Sequence, residues 1–253
     1  MGAGHGHRLH YHGHSGLHRM PAQCKIIALV FFVLAVVAVP RGEYWAYGVD
    51  ALALAVALAW SRVPPPYIAK RMVVELPFVV FALLLPFIAV GERTEVLGLS
   101  VSQSGLAAGL SLLAKATLGV VAGLLLAATT EPRDIIAGLE GKLPGQIVSI
   151  MAMMVRYLDV TSDQLRRMRI ARESRGFIAR DPRHWPVLAH SAGALFVRSY
   201  ERGERVHLAM LSRGYDGALP GLGGTQTRRR DWSVALSLPA VAAVVACSAW
   251  VLR

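Results

Sequence analysis

Five long apolar runs, each nearly free of charged side chains, constrain the fold of this chain more than any other feature. They lie at 26–39, 44–60, 72–90, 104–128 and 232–252. With 54% hydrophobic and only 17% charged residues, the chain lies outside the composition of ordinary soluble domains. An apolar helix of about 20 residues crosses a bilayer. The runs therefore predict an all-α, polytopic helical membrane protein with about five spans, the last of them broken near Pro239.

Basic residues are concentrated in one long polar segment. Of the 27 lysines and arginines, 17 lie between Arg133 and Arg230. Because positively charged loops stay on the cytoplasmic side of a membrane, this distribution predicts that the segment and the amino terminus are cytoplasmic and that the carboxyl terminus is outside. The predicted division is a His/Gly-rich tail at 1–25, a four-span region at 26–129, a cytoplasmic region at 130–231 and a carboxyl-terminal span at 232–253.

The amino-terminal tail alternates histidine with glycine. Imidazole groups bind soft or borderline divalent metals such as Co, Ni, Cu or Zn, but a tract of this composition is also typical of a solvated tail. Part of an expression tag is a third alternative, against which the irregular spacing with Arg8, Leu9 and Tyr11 argues. The sequence leaves these alternatives open. The weak candidates for metal ligands are His5, His7, His10, His12 and His14.

Lys115 interrupts the fourth apolar run. An ammonium group at membrane depth is energetically unfavourable, so this side chain must face protein, face water or extend toward the headgroups. A structural or partner-binding role and a simple extension to the membrane surface both agree with the sequence.

The basic segment contains two predicted amphipathic helices, at 146–174 and 187–212. In the first, apolar residues recur at steps of three and four, so one face of a helix about 40 Å long is expected to pack against another element. Continuing the same steps leads to Arg172 and Arg175. The members of this apolar stripe are Ile147, Met151, Met154, Leu158, Thr161, Leu165 and Met168, in which Thr161 is the polar exception.

Both helices are followed by the same four-residue pattern. Ser174-Arg175-Gly176-Phe177 and Ser212-Arg213-Gly214-Tyr215 each read Ser-Arg-Gly-aromatic. Arginine binds carboxylates through a planar fork, and small neighbours let another backbone approach closely. One such ending is a common helix terminus, with a positive charge on the helix dipole. Two copies, each after an amphipathic helix of a membrane protein, favour a binding function.

At these residues the chain resembles the transmembrane T component of energy-coupling-factor (ECF) transporters, most closely the cobalt-type CbiQ family. The resemblance extends over nearly the whole chain and is most specific from Thr129 to Gly217. The landmarks are Thr129-Thr130-Glu131-Pro132-Arg133-Asp134, Arg156-Tyr157, the basic residues at 166–169 and the two Ser-Arg-Gly patterns. The family signature usually reads Ala-Arg-Gly, so both copies here carry a small-for-small change.

The resemblance implies a non-catalytic coupling subunit in the plasma membrane of a bacterium or archaeon. In this family two arginines dock into two ABC-type ATPase subunits, which bind ATP and Mg and carry acidic partners for them. A separate substrate-binding membrane (S) subunit holds the transported ion, here expected to be Co(II), with nickel as the near alternative. Carried over to this chain, the coupling residues are Ser174, Arg175, Gly176, Ser212, Arg213 and Gly214, and Arg172 is the weaker counterpart.

Other functional classes remain as alternatives. They are a vitamin ECF importer, a membrane-anchored scaffold whose basic segment binds anionic lipid, and a membrane enzyme. The sequence contains no Walker motif, nucleophile elbow or His-Glu-x-x-His motif, and no aromatic platform for nucleic acid. Asp159 and Asp163 lie four residues apart and could hold Mg, but Arg156 and Arg166 beside them favour salt bridges.

Overall fold

The computed structural model describes residues 13, 15–89, 93–96, 99–177, 181, 184–217 and 227–252. These residues form mainly helices, as the all-α prediction requires. The helices and strands, in chain order, are α1 Gly16–Arg19, α2 Ala22–Ala38, α3 Tyr44–Ser61, α4 Pro65–Ala69, a 3-10 turn Met72–Glu75, α5 Leu76–Ile88, β1 Arg93–Val96, β2 Leu99–Ser102, α6 Gln103–Thr129, α7 Pro132–Leu139, α8 Gly145–Glu173, α9 Trp185–Leu211 and α10 Arg229–Val251.

The five apolar runs correspond to α2, α3, α5, α6 and α10. By length and composition, two helices of the described chain, α6 and α10, are suited to cross a membrane, whereas α2 and α5 are shorter apolar helices. The count of five spans therefore stays a prediction. The proposed break near Pro239 is wrong, because α10 continues through this residue.

Two short elements in the polar connections were not predicted. The segment before α6 forms an antiparallel pair, with Arg93 opposite Ser102 and Val96 opposite Leu99. The Pro-rich connection after α3 contains α4, which has proline in its first turn, where a missing N–H is tolerated. Neither element carries an apolar periodicity long enough to be recognised from the sequence.

The chain divides into two compact units. Of the described residues, those from 139 to 217 form one unit, and those from 13 to 138 together with 227–252 form the other. We call the first the basic unit and the second the membrane unit. This clustering groups α7 and the start of α10 with the apolar helices. The predicted limits of the cytoplasmic region, at residues 130 and 231, depend on where the membrane lies. They therefore stay a prediction.

The core of the membrane unit is formed by α2, α3, α6 and α10, of which α10 packs against α2 and α3. Alanines at steps of seven, Ala235, Ala242 and Ala249, are buried along α10. Small side chains let membrane helices approach closely. Large apolar side chains such as Leu52 and Val244, by contrast, remain exposed, as expected for a surface that meets lipid.

Helices α5 and α6 pack through two glycines. A Cβ atom at Gly109 would lie 2.6 Å from the carbonyl oxygen of Ala82, and one at Gly105 would lie 2.7 Å from that of Leu85. Real Cβ atoms do not approach backbone this closely. The absence of side chains at these two positions therefore sets the distance between the two helices.

Two lysines hold helix ends inside the membrane unit. The Lys25 ammonium donates to the Thr129 carbonyl at 2.9 Å, at the end of α6. The Lys115 ammonium donates to the carbonyls of Val37 and Val39 at 2.7 and 2.8 Å, at the end of α2. A cation at a helix C-terminus satisfies carbonyls that lack intrahelical partners. Of the alternatives for Lys115, the structure thus favours the structural role.

In the basic unit, α8 and α9 are the two amphipathic helices predicted from the sequence, with ends within two residues of the predicted ones. Val148, Ser149 and Val155 are the buried residues of α8, and α9 has none. Most of the surface of both helices is thus uncovered by the described part of the chain.

Candidate docking site

The ends of α8 and α9 have the same hydrogen-bond geometry. The Phe177 N–H donates to the Arg172 carbonyl at 3.1 Å, and the Tyr215 N–H donates to the Met210 carbonyl at 3.1 Å. Each glycine N–H in turn donates at 3.0 Å to the carbonyl three residues before it. This is the paired arrangement of a Schellman motif, which closes a helix by satisfying its last carbonyls. The two copies of the sequence pattern are therefore also two copies of one structure.

Gly176 and Gly214 have backbone φ angles of +74° and +82°. This left-handed conformation is unfavourable for residues with a Cβ atom, by about 1–2 kcal/mol. Nothing lies within 4 Å of a Cβ built at either glycine. The requirement for glycine is thus conformational, and it fixes where the chain turns directly after each arginine.

Ser174 and Ser212 direct their hydroxyl groups to their own helices. The Ser174 hydroxyl donates to the Ile170 carbonyl at 3.0 Å, and the Ser212 hydroxyl donates to the Ala209 carbonyl at 3.0 Å. Serine commonly forms such bonds with preceding carbonyls. Because the hydroxyl is satisfied locally, serine at this position behaves toward an incoming surface much like the alanine of the usual signature.

Arg175 and Arg213 are exposed, and within the described chain neither guanidinium has a hydrogen-bond or ion-pair partner. Arg172 differs from them, because it is half-buried and its Nη1 donates to the Ser191 hydroxyl of α9 at 3.2 Å. Arg172 therefore fastens α8 to α9, while Arg175 and Arg213 remain available for another molecule. Of the two arginines that continue the stripe, Arg172 contacts α9, and the prediction that Arg175 shares a packed surface stays a prediction.

The two free arginines lie at separate places on the basic unit. The contact between Arg172 and Ser191 is close to Arg175 along α8. Arg213 lies 22 residues after Ser191, and most of these residues belong to α9. At about 1.5 Å per helical residue, this length of chain corresponds to roughly 33 Å. The two arginines are thus suited to contact two surfaces rather than one.

Ion pairs in this unit are exposed and local. Arg169 pairs with Glu173 at 2.8 Å, and Arg205 lies 4.0 Å from Glu201. The hydrogen bond to Glu173 and the charge of that carboxylate raise the pKa of Arg169 above its ordinary value. Among the described residues, Asp159 and Asp163 do not form the expected salt bridges with Arg156 and Arg166. Both carboxylates are exposed to solvent.

The apolar stripe of α8 is largely exposed. Four of its members, Ile147, Met154, Leu158 and Leu165, have exposed fractions between 44% and 62%. On α9, Phe196 is 70% exposed. The described part of the chain leaves most of this stripe uncovered, so the expectation that it packs against another element stays a prediction. An uncovered apolar surface of this kind is typical of a protein interface.

The predicted weak metal ligands of the tail, His5, His7, His10, His12 and His14, lie outside the described residues. His18, which the structure describes, has its Nδ1 2.7 Å from the Ser15 hydroxyl. In the described ranges no group of three or more His, Cys, Asp or Glu side chains is placed to hold a metal ion.

The fold and these helix ends define a class: a helical membrane protein whose basic unit displays two equivalent, unpaired arginines. Residues 13–222 match the model of the CbiQ family, described as cobalt transport protein. The chain therefore belongs to the CbiQ family, which confirms the resemblance seen in the sequence.

Individual relatives agree with this membership. The chain is 28% identical over 248 residues to the energy-coupling factor transporter transmembrane protein EcfT of Bacillus selenitireducens, covering 88% of this chain and 87% of that protein. It is 25% identical over 199 residues to the cobalt transport protein CbiQ of Rhodobacter capsulatus, covering 78% and 79%. An uncharacterised protein of Methanocaldococcus jannaschii is 32% identical over 120 residues, but the match spans 47% of this chain and 45% of that protein.

Proposed function

We propose that this protein is the transmembrane coupling subunit of an ATP-driven ECF-type importer, and that Arg175 and Arg213 dock it onto two ABC-type ATPase subunits. The observation that carries the proposal is the pair of glycine-closed helix ends, identical in hydrogen bonding, each exposing an arginine without a partner in the described chain. The relatives named as ECF transmembrane proteins supply the class of partner.

The chemistry of the site suits acidic grooves. A guanidinium donates two parallel hydrogen bonds to one carboxylate, and loss of one member of a desolvated pair of this kind weakens binding by about 2–5 kcal/mol. Two arginines at separate ends of the basic unit match one carboxylate on each of two ATPase subunits. In this proposal ATP and Mg are bound and hydrolysed by those subunits, and this chain transmits their movement.

The exposed apolar residues of α8 and α9 suggest the second contact. Met154 and Phe196 are 62% and 70% exposed, and removing such apolar side chains from water favours association. We assign this surface to the substrate-binding membrane subunit. Movement of the ATPases would then reach that subunit through α8 and α9.

The proposed substrate is Co(II), with nickel as the alternative, because the matched family is described as cobalt transport protein. The proposed topology has the amino terminus and the basic unit in the cytoplasm and the carboxyl terminus outside, on the distribution of arginine and lysine. Uptake of radioactive cobalt by cells that express the whole transporter, in competition with excess nickel, tests the substrate. Stronger competition by nickel than by unlabelled cobalt would reverse the assignment.

Co-purification tests the docking proposal. The complex is isolated from the native host through a tag on this chain, for the wild type and for Arg175→Glu, Arg213→Glu and Arg167→Glu. Arg167 is also exposed on α8 and has no partner among the described residues, so Arg167→Glu is the control for charge reversal. We expect the ATPases to be lost, or retained without cobalt uptake, in the first two variants and to be retained with uptake in the third. Equal behaviour of all three variants would refute the assignment.

A further inference from the structure

The membrane unit contains an apolar groove that the proposed function does not use. It has a volume of about 450 Å³ and lies between α2, α3, α6 and α10, within the range of about 300–1,000 Å³ that holds small ligands. Along one side it is open, where Leu52, Val56 and Val241 remain exposed. In a membrane protein such an opening faces hydrocarbon chains.

One end of the groove carries positive charge. Lys25 lines the groove, is 7% exposed and uses one of its three N–H groups for the Thr129 carbonyl. Within the described chain its other two N–H groups have no hydrogen-bond acceptor, although the Asp134 carboxylate is close enough to attract the ammonium electrostatically. The two hydroxyl groups of the lining, by contrast, are satisfied by their own helices: Thr129 donates to the Leu125 carbonyl and Ser237 to the Val234 carbonyl.

Three consecutive arginines lie at the same end. Arg228, Arg229 and Arg230 form the N-cap and first residues of α10, one to two turns before the groove residues of that helix. The starts of α2 and α10 are held together by the cluster of Cys24 and Ala235, which places the arginines at the Lys25 end.

The arginines oppose the field of their own helix. A helix N-terminus is positive, so cations there are unfavourable and anions are favourable. Asp231 offsets part of this charge by accepting a hydrogen bond from the Arg228 N–H at 2.9 Å. The three guanidinium groups are exposed and make no ion pair among the described residues. An external anion would relieve this repulsion.

We propose that the groove binds an acyl chain of an anionic phospholipid, with the lipid headgroup at the end that carries Lys25 and the three arginines. The apolar lining excludes a free phosphate as the complete ligand. The three exposed arginines, which make no ion pair in the described chain, favour an anionic over a zwitterionic headgroup, and the Lys25 ammonium can donate further hydrogen bonds to it. Trp60, which also lines this end, is of the residue type that is enriched at the lipid headgroup level. The site does not depend on the coupling function proposed above.

Lipid binding to the purified full-length chain tests this proposal. Native mass spectrometry in a mild detergent measures the affinity for dioleoylphosphatidylglycerol and for dioleoylphosphatidylcholine. We expect tighter binding of phosphatidylglycerol. In R228Q/R229Q/R230Q its affinity should fall by about 100-fold, since each of the three basic residues near an anionic headgroup contributes about a factor of five. The charge control R198Q/R202Q/R205Q in α9 should bind like the wild type.

Variants of the groove test its role separately. Ala53 lines the groove and Ala55, on the same helix, is exposed and does not. Ala53→Phe should weaken binding of both lipids at least about fivefold, and Ala55→Phe should not. R228K/R229K/R230K, which retains the charges, should bind phosphatidylglycerol like the wild type, and phosphatidylcholine binding that is unchanged in the glutamine variant will show that this variant is folded. Equal affinity for the two lipids in the wild type, or equal loss in the control triple variant, would overturn the proposal.

Discussion

Glycine-to-alanine substitutions along α6 are expected to change stability in opposite directions according to position. At Gly109 the added Cβ would lie 2.6 Å from the Ala82 carbonyl oxygen, whereas at Gly119 and Gly123 nothing lies within 4 Å. The first contact is with backbone, so no side-chain rotation can relieve it. Helix α5 must move away, or the two helices lose their contact.

The magnitudes follow from two competing effects. Overpacking of this kind destabilises by about 1–3 kcal/mol, while alanine stabilises a helix relative to glycine by about 0.5–1 kcal/mol. Gly109→Ala should therefore lower the free energy of unfolding by about 1–2 kcal/mol, and Gly119→Ala or Gly123→Ala should raise it by up to about 1 kcal/mol. For a chain of this length 1 kcal/mol corresponds to about 2–4 °C in Tm.

Thermal unfolding of the purified full-length protein in one detergent, followed by circular dichroism at 222 nm, measures these differences. The expected result is a Tm lowered by about 2–8 °C for Gly109→Ala and unchanged or raised by up to about 4 °C for the other two variants. Shifts of the same sign and size at all three positions would show that the glycines act through helix propensity alone, and the packing argument would fail.

Three further variants test the helix ends and the lysine contact. Gly214→Ala places a Cβ on a left-handed residue at about 1–2 kcal/mol, so the end of α9 should shift and ATPase co-purification should decrease at unchanged membrane levels. Lys115→Met removes two hydrogen bonds to carbonyls of α2, each about 1.5–3 kcal/mol for a charged donor, and should lower the Tm by several degrees. Arg172→Ala should accelerate amide hydrogen exchange in the first turns of α9, measured by mass spectrometry, because the bond to Ser191 is lost.

Each of these variants has a matched control. Gly193→Ala, inside α9 with nothing within 4 Å of the added Cβ, should leave co-purification intact, and loss there as well would mean that alanine disturbs α9 in general. Lys115→Arg keeps a cation near the same carbonyls and should retain most of the stability. Ser191→Ala should reproduce the exchange behaviour of Arg172→Ala, and unchanged exchange in both would show that the bond contributes nothing to the position of α9.

The helical character of this chain could be predicted because its cause is local. Apolar runs, the step of three and four in α8 and the glycines after each arginine depend on residues near one another in sequence, and the structure has helices at the corresponding positions. The short strands at 93–96 and 99–102 and the uninterrupted α10 could not be predicted in this way. Their conformation depends on pairing and on packing around Pro239, which is buried.

The candidate site was predictable in its residue types and less so in its geometry. The two Ser-Arg-Gly patterns located Arg175 and Arg213, but the periodicity could not distinguish Arg175 from Arg172. The distinction depends on Ser191, which is 19 residues away from Arg172 and whose hydroxyl accepts its hydrogen bond. The glycines at 105 and 109, four residues apart in an apolar run, are a sequence signal of close helix packing.

The sequence by itself determined that the chain is a helical membrane protein with a basic segment and two equivalent helix ends, because composition, periodicity and the conformational freedom of glycine are properties of short stretches. The tertiary structure alone decided which groups meet: Lys115 with the end of α2, Gly109 with α5, and Arg172 with α9. These contacts join residues distant in sequence, and their free energy depends on distances and burial that only the folded chain defines.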